Sequence, residues 1–213
     1  MNSQNPQNTN AMPRNYSSTK VGRLGGGLSI ILASNSPRRK ELLSGLGIDF
    51  TVRTLQDIDE SYPSDLKGED IPKYISGQKA KAYKATMADD ELIITADTIV
   101  YVDGEVLGKP VDVDDARRMF HLMSGRKHEV ITGVSIVTKE KTVQFATTTY
   151  VTFAQLTDDE IDYYIENYKP FDKAGAYGIQ EWIGYIGITS IEGSYFNVVG
   201  LPVQRLYTEL KKF

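Results

Sequence analysis

Apolar residues fall along this chain in two alternating rhythms, and the first appears only at Leu28. Residues 28–34 hold a short apolar run and read as a buried strand. Residues 37–46 follow with helical spacing and are closed by Gly47. A second strand is expected over 50–55, and Tyr74, Ile75, Ala82 and Tyr83 place a helix over 71–87. Two apolar runs, 92–96 and 99–102, read as strands, with Asp103-Gly104 turning the second into a hairpin with 105–107. Met119, Phe120 and Met123 form the inward stripe of a helix over 114–123, stopped by Gly125. Residues 130–138 and 142–153 alternate as a long antiparallel pair. Thr157-Asp158-Asp159-Glu160 is a capping box that opens a helix reaching about Tyr168. A glycine-rich strand region follows, and a last helix starts near Pro202. Strands and helices interleave without an internal repeat, which predicts an α/β or α+β class with a mixed sheet.

Residues 1–27 stand apart: rich in Asn, Ser, Gln and Gly, ending in three glycines and lacking an apolar period. Such a segment cannot bury enough apolar surface to offset the entropy of ordering, so a disordered tail is expected before a domain over 28–213. The whole chain of 213 residues suffices for one well-packed domain or two small lobes. Its formal net charge of −4 speaks against a general nucleic-acid binder. The charge is uneven: residues 1–50 hold Arg14, Lys20, Arg23, Arg38, Arg39 and Lys40 against Glu41 and Asp49. With no cysteine, disulfide and thiolate chemistry are excluded. No apolar stretch approaches the ~20 residues a bilayer span needs, and the start lacks the apolar core of a signal peptide. A cytoplasmic protein with no membrane partner is expected.

The segment "SNSPRRKELL" carries the sharpest chemical signal. Ser36 is a good N-cap and Pro37 suits the first helical position. Arg38 and Arg39 then oppose the helix dipole by ~0.3–1 kcal/mol. An anion such as phosphate would satisfy both the arginines and the free N–H groups of that turn; alternatively the arginines lie in solvent or pair with acids elsewhere. Lys79, in "QKAK", and Lys109, in "GEVLGKP", are further cations that either bind phosphate or remain solvated. Asp97 interrupts two apolar strand runs in "ITADTIV", where an acid is disfavoured unless it is paired, binds a cation or caps a turn. Asp57, Asp59 and Glu60 in "QDIDES" are loop acids, one of which could join Asp97 around a hard cation such as Mg²⁺. In "FDKAGAYGIQ" three glycines precede Gln180, whose amide can both donate and accept at the edge of a base. His121 and His128 show no metal-ligand spacing, and phosphate-loop and nucleophile-elbow motifs are missing.

"LASNSPRRKELL", "ADTIVYVDGEVLGKP", "SGRKHEVITGV", "DKAGAYGIQ" and "GSYFNVVGLP", in this order, resemble the Maf family of nucleotide pyrophosphatases from Leu28 to the C-terminus. The paired arginines, Ala-Asp-Thr and Gly-Ile-Gln resemble the subgroup acting on dTTP and UTP. The resemblance implies a mixed, elongated central sheet flanked by helices, in two lobes around a deep cleft. It implies hydrolysis between the α and β phosphates to the monophosphate and pyrophosphate, with a divalent metal, Mg²⁺ or Mn²⁺, in a cytoplasmic, often homodimeric enzyme. By matching position, Asp97 corresponds to the proposed proton acceptor, and Arg38, Thr98 and Gln180 to positions linked with substrate choice. Ser34, Ser36, Arg39, Glu60, Lys79 and Lys109 match other cleft residues, with Asp97 and Glu60 the expected metal pair. One departure is visible: where the family commonly has a small residue after the glutamine, Glu181-Trp182 follows here and either reshapes the base pocket or sits behind it. Two other readings stand beside this one. One is a nucleotide-sensing or protein-binding module linked to septum formation and cell-division control, and the other a pyrophosphatase for damaged purine triphosphates.

Overall fold

The computed structural model describes residues 24–213. Its frame is a seven-stranded mixed sheet in the order β2-β1-β3-β5-β6-β7, with β4 paired to β3 beyond the end of β1. The strands are β1 (Ser29–Leu32), β2 (Thr51–Val52), β3 (Glu91–Val102), β4 (Glu105–Leu107), β5 (Lys127–Val137), β6 (Thr142–Phe153) and β7 (Ile188–Glu192). Between them lie α1 (Pro37–Ser44), α2 (Asp70–Lys84), α3 (Val113–Met123), α4 (Asp158–Tyr168) and α5 (Trp182–Gly187), and after them α6 (Tyr195–Val199) and α7 (Val203–Leu210). β1 runs parallel to β2 and β3, and the other pairings are antiparallel.

Alternation along β3 sends its side chains to two faces. Leu92, Ile94 and Ala96 join Leu32, Leu43, Leu201, Leu206 and Leu210 in a core under α1 and α7. Further along the same face, Val100 and Val102 join Phe120, Met123, Phe153, Tyr164 and Ile183 in a second core under α3, α4 and α5. On the opposite face α2 lies across the sheet, packing Ile71 and Ile75 on Ile99 and Ile131, and Ala80 and Tyr83 on Ile93. The two cores form the two lobes.

The cleft between the lobes originates in the sheet itself. β1 covers the edge of β3 over Glu91–Ile94 and β4 covers it over Val100–Val102. Among the described residues the β3 edge between those stretches has no strand neighbour on that side, while β5 pairs the other side from Ile93 to Tyr101. Asp97 and Thr98 sit in this gap, on opposite faces.

Several expectations are corrected. The two strands over 92–96 and 99–102 are one strand, because the backbone of Asp97 stays in the β5 ladder opposite Gly133 and its carboxylate finds a partner on α2. The strand over 50–55 shrinks to Thr51–Val52: the neighbouring strand ends at Leu32, whose carbonyl takes the last bond from the N–H of Arg53. The glycine-rich stretch after Tyr168 is mostly turn and helix; positive φ at Gly175 (66°) and Ala176 (59°) breaks any extended run. α6 is not anticipated. Leu24–Gly27 form a short 3-10 turn with Leu24 buried beside Ile30 and Leu92, and so belong with the folded part rather than the tail. The rest of the tail expectation concerns residues outside those described.

Gly133 fixes how close α2 comes to the sheet. A Cβ there would meet the Pro72 carbonyl carbon at 2.2 Å and the Lys73 nitrogen at 2.4 Å, both rigid backbone. Gly133→Ala should therefore lift the start of α2, lowering stability by ~1–3 kcal/mol as overpacking does and moving Lys79 away from Asp97. A urea midpoint and a turnover measurement check the paired losses.

Candidate active site

The cleft has a volume of about 680 Å³ and is lined from every element around the sheet gap. The β1–α1 turn supplies Ser34, Ser36, Arg38 and Arg39; α2 supplies Lys79; β3 supplies Asp97 and Thr98. Lys109 stands two residues beyond the end of β4, and the loop after α4 supplies Asp172, Lys173, Tyr177 and Gln180. Glu60 reaches in from the long loop between β2 and α2. All ten residues marked in the sequence thus line one cavity.

At the turn into α1 the Ser36 hydroxyl accepts from the Arg39 N–H at 3.4 Å, and the Ser34 hydroxyl accepts from the Ser36 N–H at 3.2 Å. The two arginines that follow diverge. Arg38 points along the cleft and donates to Asp172 Oδ2 at 2.7 Å. Arg39 turns back into the sheet gap. It donates to the carbonyls of Gly200 at 2.8 Å and Ala96 at 2.9 Å, and to Thr98 Oγ1 at 3.0 Å. Burial lowers its pKa from the usual arginine value, partly countered by the nearby Asp97 charge. Arg39 therefore occupies the missing β-partner's place, and its fork is consumed by the fold. A guanidinium only donates, so Thr98 must accept from it and pass its own proton to Thr132 Oγ1 at 2.9 Å, which donates to the Asn197 carbonyl at 3.2 Å.

On the other face, the Lys79 ammonium bridges two carboxylates, Asp97 Oδ1 at 2.8 Å and Glu60 Oε1 at 3.1 Å. Lys79 and Asp97 are both only 13% exposed in their side chains, so each needs the other where water cannot screen it. Of the other loop acids, Asp57 lines the cleft, while Asp59 turns to accept the Ser61 N–H at 2.9 Å, which lowers its pKa. Among the described residues no three His, Cys, Asp or Glu side chains come together as a metal cage. A Mg²⁺-type ion does not require one, since it takes one or two carboxylates and fills its shell with water and phosphate oxygens. The Asp97–Glu60 oxygen pair fits that chemistry.

At the far end the Gln180 amide makes no hydrogen bond among the described residues, and its Oε1 is enclosed. Lys173, missed by the sequence reading, is 8% exposed and bonds Asp172 Oδ1 at 2.9 Å and Glu181 Oε1 at 3.2 Å. Burial alone would raise the Asp172 carboxyl, but hydrogen bonds from Lys173 and Arg38 outweigh it and hold its pKa near 2. Glu181 also accepts from the Tyr164 hydroxyl, and Trp182 packs at 4.7 Å against Tyr163 with the rings tilted by 58°. The departing Glu181-Trp182 pair thus sits behind the pocket wall. Behind Tyr177 lies His128, its Nε2 2.8 Å from the tyrosine hydroxyl and its ring stacked on Phe153. Burial depresses the pKa of His128 to about 4 and raises that of Tyr177.

The family model for Maf-like proteins matches residues 29–213. The chain belongs to the Maf-like family. Among its relatives, the dTTP/UTP pyrophosphatase of Phocaeicola vulgatus is 66% identical over 86% of this chain and 95% of its own. That of Parabacteroides distasonis is 61% identical over the same shares, 86% and 95%. The Ham1 protein of Staphylococcus aureus shares the fold at a TM-score of 0.53 and 16% identity, covering 86% of this chain and 98% of its own. No helix among the described residues is long and apolar enough to cross a membrane. What this Maf-like chain hides from its sequence is the shell behind the cleft. Asp172, Lys173 and Tyr177 fall within a quoted motif but carry no spacing signal, and Tyr164 and His128 look like core residues.

Arg39 and Arg38 should separate cleanly by stability without nucleotide. Arg39→Lys strips charged hydrogen bonds from buried carbonyls and should cost about 2 kcal/mol or more. Arg38→Ala loses one exposed ion pair and should stay within about 0.5 kcal/mol. Urea midpoints decide this; equal losses would contradict the assignment. A second expectation concerns acid. His128 is kept neutral by the fold, so the unfolded chain binds the extra proton. The stability it supports is complete above pH 6.5 and is lost as pH falls from 6.5 toward 4. The span corresponds to about 3 kcal/mol. Denaturation midpoints between pH 7.5 and 5 should fall in the natural chain and stay flatter in His128→Gln.

Proposed function

We propose that this chain hydrolyses dTTP and UTP between the α and β phosphates, releasing pyrophosphate and the nucleoside monophosphate. The observation that carries this reading is the polarity of the cleft: two carboxylates on a shared ammonium at one end, an unpartnered amide at the other. The names of its relatives agree with it.

Arg38, Lys79 and Lys109 bind the phosphates, with the Ser34 and Ser36 hydroxyls at the helix start. Such positioning and charge stabilisation supply most of the catalysis in phosphoryl-type transfer. Asp97 and Glu60 hold a divalent cation, Mg²⁺ or Mn²⁺, which when bound polarises a phosphoryl oxygen. Asp97 Oδ1 is engaged by Lys79; Oδ2 has no donor among the described residues and takes the proton of the attacking water. The water oxygen bonds to the α-phosphorus, the bond from that phosphorus to the bridging oxygen breaks, and pyrophosphate leaves with the electron pair. Thr98 and the Arg39 fork hold this part of β3 in place. Gln180 carries a donor and an acceptor on one amide, the complement of the adjacent N–H and carbonyl of uracil and thymine, and its enclosed Oε1 turns outward to meet them. The thymine methyl needs little room, and its absence costs only ~1–3 kcal/mol, so both bases are accepted. A cytoplasmic location and a homodimer complete the reading, the latter decided by sedimentation.

The experiment is a pyrophosphate assay with Mg²⁺ or Mn²⁺ over canonical pyrimidine triphosphates, modified ones and damaged purine ones. UTP and dTTP should lead. A lead for damaged purines, or no release at all, overturns the reading in favour of a different pyrophosphatase or a nucleotide sensor. Asp97→Asn should reduce turnover at least ~10²-fold with the fold retained. Gln180→Glu should narrow the lead of UTP and dTTP over CTP and GTP; an unchanged ranking would remove Gln180 from base reading.

A further inference from the structure

Residues 178–181 form a tight turn, closed by the Glu181 N–H donating to the Gly178 carbonyl at 3.0 Å. Gln180 is the third residue of that turn. Both ends of the turn are held by one atom. The Tyr164 hydroxyl accepts the Gly178 N–H at 3.0 Å and donates to the Glu181 carboxylate. Tyr164 is itself immobile: it is fully buried, edge-on to Phe120 at 5.6 Å and stacked on Tyr168 at 4.9 Å. The other Glu181 oxygen takes the Lys173 ammonium at 3.2 Å, and Lys173 leads through Asp172 to Arg38. Gly178 leaves room for this arrangement, since a Cβ would lie 2.8 Å from the Glu181 carboxyl carbon and 3.0 Å from Gln180 Nε2 and would push both side chains aside.

We infer that Glu181 and Tyr164 are positioning residues for base selection, clamping the turn that presents the Gln180 amide to the cleft. Neither side chain lines the cleft, so their effect on substrate passes through Gln180. An amide that must meet two atoms of a base edge tolerates little displacement, whereas of the phosphate contacts Lys79 and Lys109 bond nothing in this turn and Arg38 is joined to it only at a distance, through Asp172 and Lys173. Loosening the clamp therefore lowers discrimination between bases more than it lowers hydrolysis in general. The alternating charges Arg38, Asp172, Lys173 and Glu181 serve the same end, keeping the buried ammonium neutralised on both sides so that the loop keeps one conformation.

The inference rests on the pyrimidine reading above, and the test separates the two. Steady-state kcat and KM are measured for UTP, dTTP and CTP with the natural chain, Glu181→Gln, Tyr164→Phe and the double variant. In the natural chain UTP should lead CTP. Each single variant should lose about tenfold or more in kcat/KM for UTP and dTTP, mostly in KM, while CTP changes by less than about twofold. The double variant should lose no more than the worse single one, because both break one clamp. Equal losses for UTP and CTP, or an unaltered ratio, overturn the inference and leave the pyrimidine reading standing. A natural chain without a UTP lead overturns both. Glu181 is partly exposed, so Glu181→Gln decides the matter even if Tyr164→Phe does not fold.

Discussion

A strand left without a neighbour in the middle of a sheet must find other partners for its backbone groups or stay wet. β3 does both. β1 ends too early and β4 begins too late to cover it, and the gap between them is the cleft. The guanidinium of Arg39 takes over part of the missing strand's work, bonding the Ala96 carbonyl and, from the same fork, the Thr98 hydroxyl and the Gly200 carbonyl. Three segments distant in sequence meet on that one group: the start of α1, the centre of β3 and the turn between α6 and α7. The cavity stays open because a side chain, which covers only part of the edge, replaces a strand that would have closed it.

The same economy governs charge. Of the cations lining the cleft, Arg38, Lys79 and Lys173 pair with acids and Arg39 with carbonyls and a hydroxyl; Lys109 is exposed with no such partner among the described residues. Lys109 apart, a polyanion entering this cleft does not meet bare charges. At Arg38 it would exchange one anion, Asp172, for another. Because the charges before and after are alike, the net gain is set by geometry, and a planar fork gains most from a group it can grip with two parallel bonds. At Lys79 the pair is less exposed, and separating Asp97 from its ammonium without a replacement would cost several kcal/mol.

Much of this was legible in the sequence, and the misses have physical causes. Periodicity found most of the larger elements, since amphipathic stripes are local. The start of α1 was legible because Ser36 and Pro37 act over a few residues, whereas the helix ends at Ser44, capped by Gly45, before the expected stop at Gly47. The fates of the arginines were not. Adjacent helical positions point about 100° apart, so Arg38 and Arg39 had to face different surroundings, but those surroundings come from residues 57 to 161 positions away. Asp97 was recognised as an anomaly in an apolar run, although the expected break at that point was wrong: an acid with a buried partner does not interrupt a strand. The turn after Gly175 was misread as extended because glycine count alone does not distinguish a strand from a chain of positive-φ turns.

The departure at Glu181 shows how a local oddity acquires meaning only in three dimensions. A glutamate following a cleft glutamine looks like an intrusion on the site. In the fold its carboxylate turns away from the cavity, toward a lysine that is almost completely buried and a tyrosine hydroxyl anchored in the larger core. Without that carboxylate, Lys173 would keep only Asp172, which Arg38 also claims. Two cations would then share one acid, one of them almost completely buried, an arrangement relieved by movement of the loop or entry of water. The acid is therefore part of what lets the chain bury a lysine there, and the rigid wall that results is what a neutral, unpartnered amide needs to be held in one place.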